Sequence, residues 1–573
     1  MTDGSIVTWF ESRGSEFLPG LAQFRGYQRA WLRGDLLAGV TVAAYLVPQV
    51  MAYATLAGLS PVAGLWAAIA PLAIYAAVGT SRQLSVGPES TTALMTAVVL
   101  APMAAGDPRH YAALAAALAL LVGALCLVGA LARLGFLADL LSRPVLVGYM
   151  AGVAVMMIVS QLGKVTGVPI EGDEFVNQMR SFAAGLDQLH WPTIILALMV
   201  LGLLLIQAWL APRAPGPLIA MLAATVVVTA FSLDARGIAV VGMIPSGLPI
   251  PGVTGVPAAE LVALVIPALG IAIVGFSDNV LTARAFGARQ GQNVDANAEL
   301  RALGLCNLGG GLMHGFPMSS SGSRTAIGNA VGSRTQLFSL VSLVCLLAVM
   351  LTARGVLAHF PTAALGALVV YAALRLIDVS EFRRLAHFRR SEAILALATA
   401  AAVVGIGVLY GVLVAVALSI LDLLRRVARP HDAVLGFVPG LAGMHDVDDY
   451  PEANPVPGLL VYRYDAPLCF ANAEDFRSRA LAAVDANPVP VEWFVLNAEA
   501  NVEVDLTALD ALDQLRAGLE RRGIEFGMAR VKQDLRVSLE AIGLVDKIGE
   551  DRIFMTLPTT VEAFRREHTR PPL

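Results

Sequence analysis

The stretch GGGLMHGFPMSSSGSRTAIGNAVGSR, Gly309 to Arg334, lies between two long apolar segments yet is too rich in Gly and Ser to be an ordinary membrane helix. An unpaired backbone N–H or C=O is costly in hydrocarbon, so irregular chain at that depth is tolerated only where protein buries it or a watery cavity meets it. The stretch is therefore expected to line a site. The hydroxyls of Ser319, Ser320, Ser321 and Ser323 precede a short apolar turn from Thr325 to Val331. That order suits a half-helix whose exposed N-terminal amides point at an anion. Arg324 adds a full positive charge at the same end. Transport of an inorganic anion is the function these features point to.

Composition supports the membrane part independently. Of 573 residues 57% are hydrophobic and only 15% charged, and the mean hydropathy is +0.69, whereas soluble domains carry about a quarter charged residues. A polytopic membrane protein fits. The net charge of −4 gives no basic field for nucleic acid. Cys126, Cys306, Cys345 and Cys469 have no metal-site or disulfide-framework spacing and read as packing residues. No cofactor is implied. Met1 to Arg33 is polar and contains Asp3, Glu11 and Glu16, so no signal peptide is read there.

Residues 1–34 form a lead with Arg25, Arg29 and Arg33 ahead of the first apolar run. Apolar stretches follow at about 36–57, 62–79, 89–104, 111–132, 144–162, 192–211 and 216–232. A second set covers about 260–286, 297–314, 323–332, 335–353, 361–377, 391–408 and 409–426. This makes about 14 spans against the ~20 residues a spanning helix needs. Threading them with the N-terminus inside puts Arg82, Arg133, Arg143, Arg213, Arg284, Arg289, Arg301, Arg334, Arg383, Arg384, Arg389, Arg390, Arg425 and Arg426 on the cytoplasmic side. The other side receives Arg109, Lys164, Arg180, Arg236 and Arg354, an asymmetry that predicts both termini in the cytoplasm. Seven spans per half, 35–232 and 260–429, make the halves inverted repeats suited to alternating access.

The third span opens SVGPESTTALMTAVV, where Gly87 and Pro88 interrupt the chain before a short helix; Pro317 and Gly322 do the same in the tenth. Two half-helices facing each other would converge about half a positive charge apiece near the midplane. Kinked helices with locally bonded polar residues are the structural alternative. Asp278, in GIAIVGFSDNVLTARAF, reads as the one deep acid, with Thr282 one turn later on the same face. An acid there faces a cavity, binds a cation or takes up a proton, so it is the coupling candidate, with a fixed salt bridge to Arg324 as its structural alternative. Glu89 reads as nearer the surface. Gln49 and Tyr53 in YLVPQVMAYA are i, i+4 neighbours after Pro48 and can offer polar groups to the same cavity. His314 reads as structural, and Arg383, Arg384, Arg389 and Arg390 as a loop near anionic lipid.

After Pro430 the pattern changes. GLLVYRYDA, VEWFVLNAEA and IEFGMARV read as strands, alternating with the helical EDFRSRALAAVDA, ALDALDQLRAGLERRG and LRVSLEAIG. That alternation argues for a cytoplasmic α/β domain over 430–573.

PVAGLWAAIAPLAIYAAVGTSR, Pro61 to Arg82, resembles the signature of the SulP anion permeases, relatives of pendrin and prestin, with Ala63 and Trp66 replacing tyrosines. VPQVMAYA, SVGPES and SGSRTA resemble the family's first, third and tenth spans, and LVYRYDAPLCFANAEDF resembles its STAS domain. The likeness covers nearly the whole chain and looks closest to actinobacterial sulfate permeases. It implies a core and a gate unit moving against each other in the cell membrane, with the anion held by amides and hydroxyls around Ser90, Thr91, Ser321 and Ser323. Gln49 and Tyr53 would complete the pocket. Asp278 and Thr282 match positions where sodium-coupled bicarbonate relatives hold their cation, while relatives with Glu at the acid position are thought to use protons. A homodimer is also implied. Thr507, two residues after Asp505, matches a serine phosphorylated in stand-alone STAS proteins; a plain helix-capping role is the structural alternative.

Sulfate uptake driven by protons or sodium is the leading reading. Bicarbonate, chloride or a dicarboxylate suits the same pocket chemistry, and a non-transporting STAS sensor or scaffold is the alternative from another class. No nucleotide-binding Gly-rich loop precedes a Lys and no nucleophile–base pair stands out, so neither an enzyme nor an ATP-driven pump is read.

Overall fold

The computed structural model describes residues 18–568 except 25, 105, 140–141, 171–174, 213, 246, 253–254 and 289–290. Residues 1–17 of the lead, with Asp3, Glu11 and Glu16, and Arg25, Arg213 and Arg289 of the orientation argument lie outside the described residues. The chain divides into two compact units, 1–419 and 420–573.

Fourteen principal helices follow the apolar stretches. The first seven are α1 (Leu32–Leu56), α2 (Pro61–Val78), α3 (Ser90–Leu100), α4 (Pro108–Leu131), α5 (Arg143–Ser160), α6 (Trp191–Leu210) and α7 (Gly216–Ala230). The second seven are α8 (Ala258–Ala288), α9 (Ala296–Leu312), α10 (Gly322–Val331), α11 (Leu337–Thr352), α12 (Thr362–Leu376), α13 (Arg390–Ile406) and α14 (Val408–Ala428). Among the described residues seven are long and apolar enough to cross a bilayer: α1, α2, α4, α5, α6, α8, and α12 with the adjoining Val379–Phe388. α3 and α10, of 11 and 10 residues, are half-helices; at 1.5 Å per residue each covers about half of a ~30 Å hydrocarbon core.

Helix packing is reciprocal. α1 packs on α11 and α8 on α4; α2 on α11 and α9 on α4; α6 on α12 and α13 on α5; α10 on α1 and α3 on α8. Replacing each helix by the one seven places along exchanges the members of every pair, as a pseudo-two-fold relation between the halves requires. Small residues permit the closest approaches, because packing rather than water exclusion holds helices together in lipid. A Cβ at Gly123 would lie 2.8 Å from the Gly304 carbonyl oxygen, and one at Gly304 2.9 Å from that of Gly123. On α6, Leu198, Met199, Ile206 and Trp209 are exposed, a face suited to lipid.

Between α2 and α3, and between α9 and α10, the chain is extended. β1 (Val86–Gly87) pairs antiparallel with β2 (Ser319–Ser320), Val86 opposite Ser320 and Gly87 opposite Ser319. The Ser321 amide donates to the Ser85 carbonyl at 2.8 Å. Met318 is held by Asn307, whose Oδ1 accepts its amide at 3.0 Å and whose Nδ2 donates to its carbonyl at 3.1 Å. The irregular backbone is thus satisfied inside the protein, the condition for its presence at this depth.

The second unit is a six-stranded sheet of β3 (Asp432–Phe437), β4 (Met444–Asp446), β5 (Leu459–Tyr464), β6 (Trp493–Asn497), β7 (Glu525–Ala529) and β8 (Ile553–Phe554), in the order β4-β3-β5-β6-β7-β8. β5 to β8 are parallel; β3 pairs antiparallel with β4 and β5. α15 (Ala473–Ala486), α16 (Leu506–Glu520), α17 (Gln533–Ala541) and α18 (Leu544–Ile548) cover one face over Leu460, Tyr462, Phe494 and Met528. α19 (Leu557–His568) covers the other over Val461, Trp493 and Val495. Burial on both faces is why these strands read as unbroken apolar runs.

Candidate functional site

The antiparallel pairing of β1 with β2 brings the N-termini of α3 and α10 together. Arg324, in the first turn of α10, ties them: its Nε donates to Ser85 Oγ at 3.3 Å and its Nη1 to the Pro88 carbonyl at 3.0 Å. Thr325 Oγ1 accepts the Ser85 amide at 3.0 Å. The Arg324 side chain is fully buried, and its Nη2 has no hydrogen-bond partner among the described residues.

Beside this junction lies a cavity of about 530 Å³. Gln49, Tyr53, Ser90, Thr91, Asp278, Ser321 and Ser323 line it, as do Glu89 and Ser320. Gln49 is 5% exposed and its Oε1 has no partner among the described residues. Asp278 accepts from Ser320 Oγ at 3.2 Å and Ser319 Oγ at 3.4 Å. β2 comes this near α8 because Gly275 faces it; a Cβ there would sit 3.3 Å from that of Ser319. Tyr45, Gln207, Tyr371 and Arg375 line it too, with Ala211, Pro212 and Ala214 of the α6–α7 connection. Tyr45 donates to the Ala214 carbonyl in that connection at 2.6 Å.

Four placements differ from what the sequence leads one to expect. Arg324 does not line the cavity; it stands behind the junction, so its charge reaches the cavity through the α10 end. No ion pair joins it to Asp278 among the described residues. Thr282, one turn beyond Asp278 and half-buried, is not on the cavity wall. Asp278 is not the one deep acid, since Asp35 and Glu299 are fully buried. Asp35 accepts from the Arg334 amide at 2.6 Å and Thr335 Oγ1 at 2.7 Å. Glu299 accepts from Tyr75 at 3.0 Å, Asn279 Nδ2 at 2.8 Å and Thr80. Each ties a helix start to a distant loop.

The largest correction concerns Glu89, which is not near the surface. It is 8% exposed and caps α3 with its own carboxylate. Oε1 accepts the Thr92 amide at 2.6 Å and Oε2 the Thr91 amide at 2.9 Å. The α3 amides assigned to an anion are therefore occupied by a side chain. The α10 end is capped by a neutral group, Ser321 Oγ accepting the Arg324 amide at 3.4 Å. Sequence missed Glu89 because Glu is not a favoured N-cap; the signal was its position directly after the Gly87-Pro88 break. Gln207 and Arg375 sit near helix ends, where polar residues read as interfacial, while Tyr45 and Tyr371 lie within α1 and α12 and read as single aromatics among apolar residues.

In the second unit Asp505 caps α16: Oδ1 accepts the Ala508 amide at 2.8 Å and Oδ2 the Phe470 amide at 2.7 Å. Thr507 is exposed in the first turn and does not cap. His314 is held by the Ile250 carbonyl at 3.0 Å from Nε2.

Comparison with known proteins places the whole arrangement. The sulfate permease family model matches residues 32–399 and the STAS domain model residues 450–560. A probable sulfate transporter of Mycobacterium tuberculosis is 72% identical over 548 residues, covering 96% of this chain and 98% of its own. Among solved structures, SLC26A9 superposes with a TM-score of 0.90 at 22% identity, covering 98% of this chain and 94% of its own. The transmembrane domain of the cyanobacterial bicarbonate transporter BicA gives 0.60 at 23% identity, over 69% of this chain and 98% of that one. These likenesses, with the crossed half-helices and the sheet domain beyond them, make the chain a member of the sulfate permease (SulP) family carrying a C-terminal STAS domain.

Proposed function

We propose that the chain is a secondary active transporter that takes up sulfate with protons or sodium by alternating access. The observation that carries this is the cavity at the meeting of the α3 and α10 N-termini, lined with hydroxyls, the Gln49 amide and two acids, Glu89 and Asp278. Helix N-termini and hydroxyls suit an oxyanion, and a relative 72% identical over nearly its whole length is named a probable sulfate transporter. On this reading Gln49, Tyr53, Ser90, Thr91, Ser321 and Ser323 surround the anion. Arg324 offsets its charge from behind, and Asp278 takes the coupling cation. Thr282 acts on Asp278 from the next turn, outside the cavity wall.

Alternating access would move α5, α6, α7, α12 and α13 against the bundle of α1–α4 and α8–α11, since most close packing runs within these groups. The cavity's lining includes Ala211, Pro212 and Ala214 and Arg375 near the end of α12. The α12 end runs on to Arg383, Arg384, Arg389 and Arg390, which the positive-inside rule assigns to the cytoplasm. On this reading that side of the cavity lies toward the cytoplasm and both termini are cytoplasmic, and function as a homodimer belongs to the same reading. Labelled sulfate flux into proteoliposomes tests it, with bicarbonate, chloride and succinate as competitors under separate proton and sodium gradients. Gradient-driven sulfate accumulation that chloride and succinate compete with only weakly is expected; flux of a competitor without sulfate flux would replace the substrate.

A further inference from the structure

Glu89 holds the two amides that a dianion would need, and it does so from within the cavity wall. Among the described residues the charged and titratable groups that act on it are Tyr53 from α1, Tyr149 from α5, Asp278 from α8 and Arg324 from α10. Two carboxylates thus oppose one guanidinium and two helix ends of about half a charge each, which leaves the empty pocket close to neutral. A dianion arriving there finds the α3 amides taken and adds two negative charges. One positive equivalent at Asp278, whichever cation supplies it, leaves the loaded pocket one charge short. Gln49, nearly buried, leaves one acceptor in the same wall, its Oε1, without a partner among the described residues.

We propose that Glu89 is a tethered stand-in for the transported anion, and that sulfate occupies the pocket only after Glu89 takes up a proton and gives up the Thr91 and Thr92 amides. The proton comes from water on the loading side and adds to a carboxylate oxygen. The neutral acid leaves the amides, and sulfate accepts from them in its place. On the release side sulfate departs, the proton returns to water, and the carboxylate closes over the amides again. One proton therefore travels with each anion through Glu89, in addition to the cation at Asp278. This rests on the sulfate reading above for its ligand but not for its logic, since any anion would meet the same occupied amides.

The test is equilibrium binding of labelled sulfate to the full chain in sodium-free buffer, from pH about 5.5 to about 8, where sulfate itself does not titrate. Wild-type affinity is expected to rise at least about tenfold per unit fall in pH. In Glu89→Gln that dependence is expected to be tenfold weaker per pH unit, whereas Glu89→Asp, which keeps a carboxylate at the cap, retains the wild-type dependence. A folded Glu89→Gln protein with the wild-type dependence, or one that binds no anion at any pH, overturns the proposal. Proton uptake by the wild-type protein on sulfate addition in weak buffer gives a second reading that needs no variant: about one proton or more per sulfate is expected, and none overturns it. Running the series with chloride in parallel separates the two claims. Absence of sulfate binding by both proteins sinks the sulfate reading, and the chloride series then decides whether Glu89 gates the pocket.

Discussion

The N-termini of α3 and α10 are counterparts in fold and opposites in charge. Both follow a two-residue strand, both are half-helices, and each strand pairs with the other. Yet α3 closes on its own carboxylate, bonded at 2.6 and 2.9 Å, while α10 carries a hydroxyl cap and a guanidinium. Counting about half a positive charge per helix end, the α3 end is net negative and the α10 end strongly positive. Pseudo-symmetry thus fixes where the ends meet, and side chains alone decide which attracts an anion and which can refuse it.

Removing the charge from the α10 end is the strongest way to break this contrast. Arg324→Ala strips the end of its full charge and leaves the buried Pro88 carbonyl and Ser85 hydroxyl short of a donor, about 1–3 kcal/mol for each unsatisfied group. Sulfate uptake in proteoliposomes is expected to fall at least about a hundredfold, at about 1.4 kcal/mol per tenfold. Arg324→Lys, which keeps charge but not the two-point tie, should be intermediate. Normal flux in Arg324→Ala would show that the α10 end is not the attracting one. Next in size is Asp278→Asn. Uptake should lose the share of its gradient response carried at Asp278, about tenfold in accumulation per decade of the driving cation, and keep the share carried by the Glu89 proton; an unchanged response would transfer coupling away from the residue between the two ends.

Much of this contrast is legible in the sequence. Gly87-Pro88 and Pro317 with Gly322 mark both breaks, because chain interrupted at membrane depth must be paired elsewhere. The helix bounds follow the apolar runs closely, since length and hydropathy set what crosses a bilayer. What sequence could not supply was direction. Asp278 and Asn279 are neighbours, yet one faces the cavity and the other reaches Glu299. Arg324 and Ser323 adjoin, yet only Ser323 is on the cavity wall. Asp35 and Glu299 look like flanking charges because their partners, Thr335 and Tyr75, come from far along the chain. In the second unit β3, β4 and β8 were missed: β4 and β8 are 3 and 2 residues long, too short for an alternation pattern.

A smaller test sharpens the contrast by weakening the neutral cap alone. Ser321→Ala removes the acceptor for the Arg324 amide, a loss of about 1 kcal/mol for an N-cap, and uptake should fall only a few-fold while its pH dependence stays as in the wild type. A changed pH dependence would mean that the α10 end shares the control assigned to Glu89.

The smallest effect is expected where a carboxylate caps a helix without facing a cavity. Asp505 holds the α16 end much as Glu89 holds α3, but its other oxygen is committed to the Phe470 amide, and no anion competes for the position. Asp505→Ala should therefore lower the unfolding free energy of the second unit by about 1 kcal/mol and leave the pH dependence of uptake untouched. Thermal unfolding of the full chain followed by hydrogen exchange in α16 reads the first, and flux against pH reads the second. A pH dependence altered by Asp505→Ala would mean that a capping carboxylate influences uptake wherever it stands, and that the position of Glu89 inside the cavity wall is not what gives it its role.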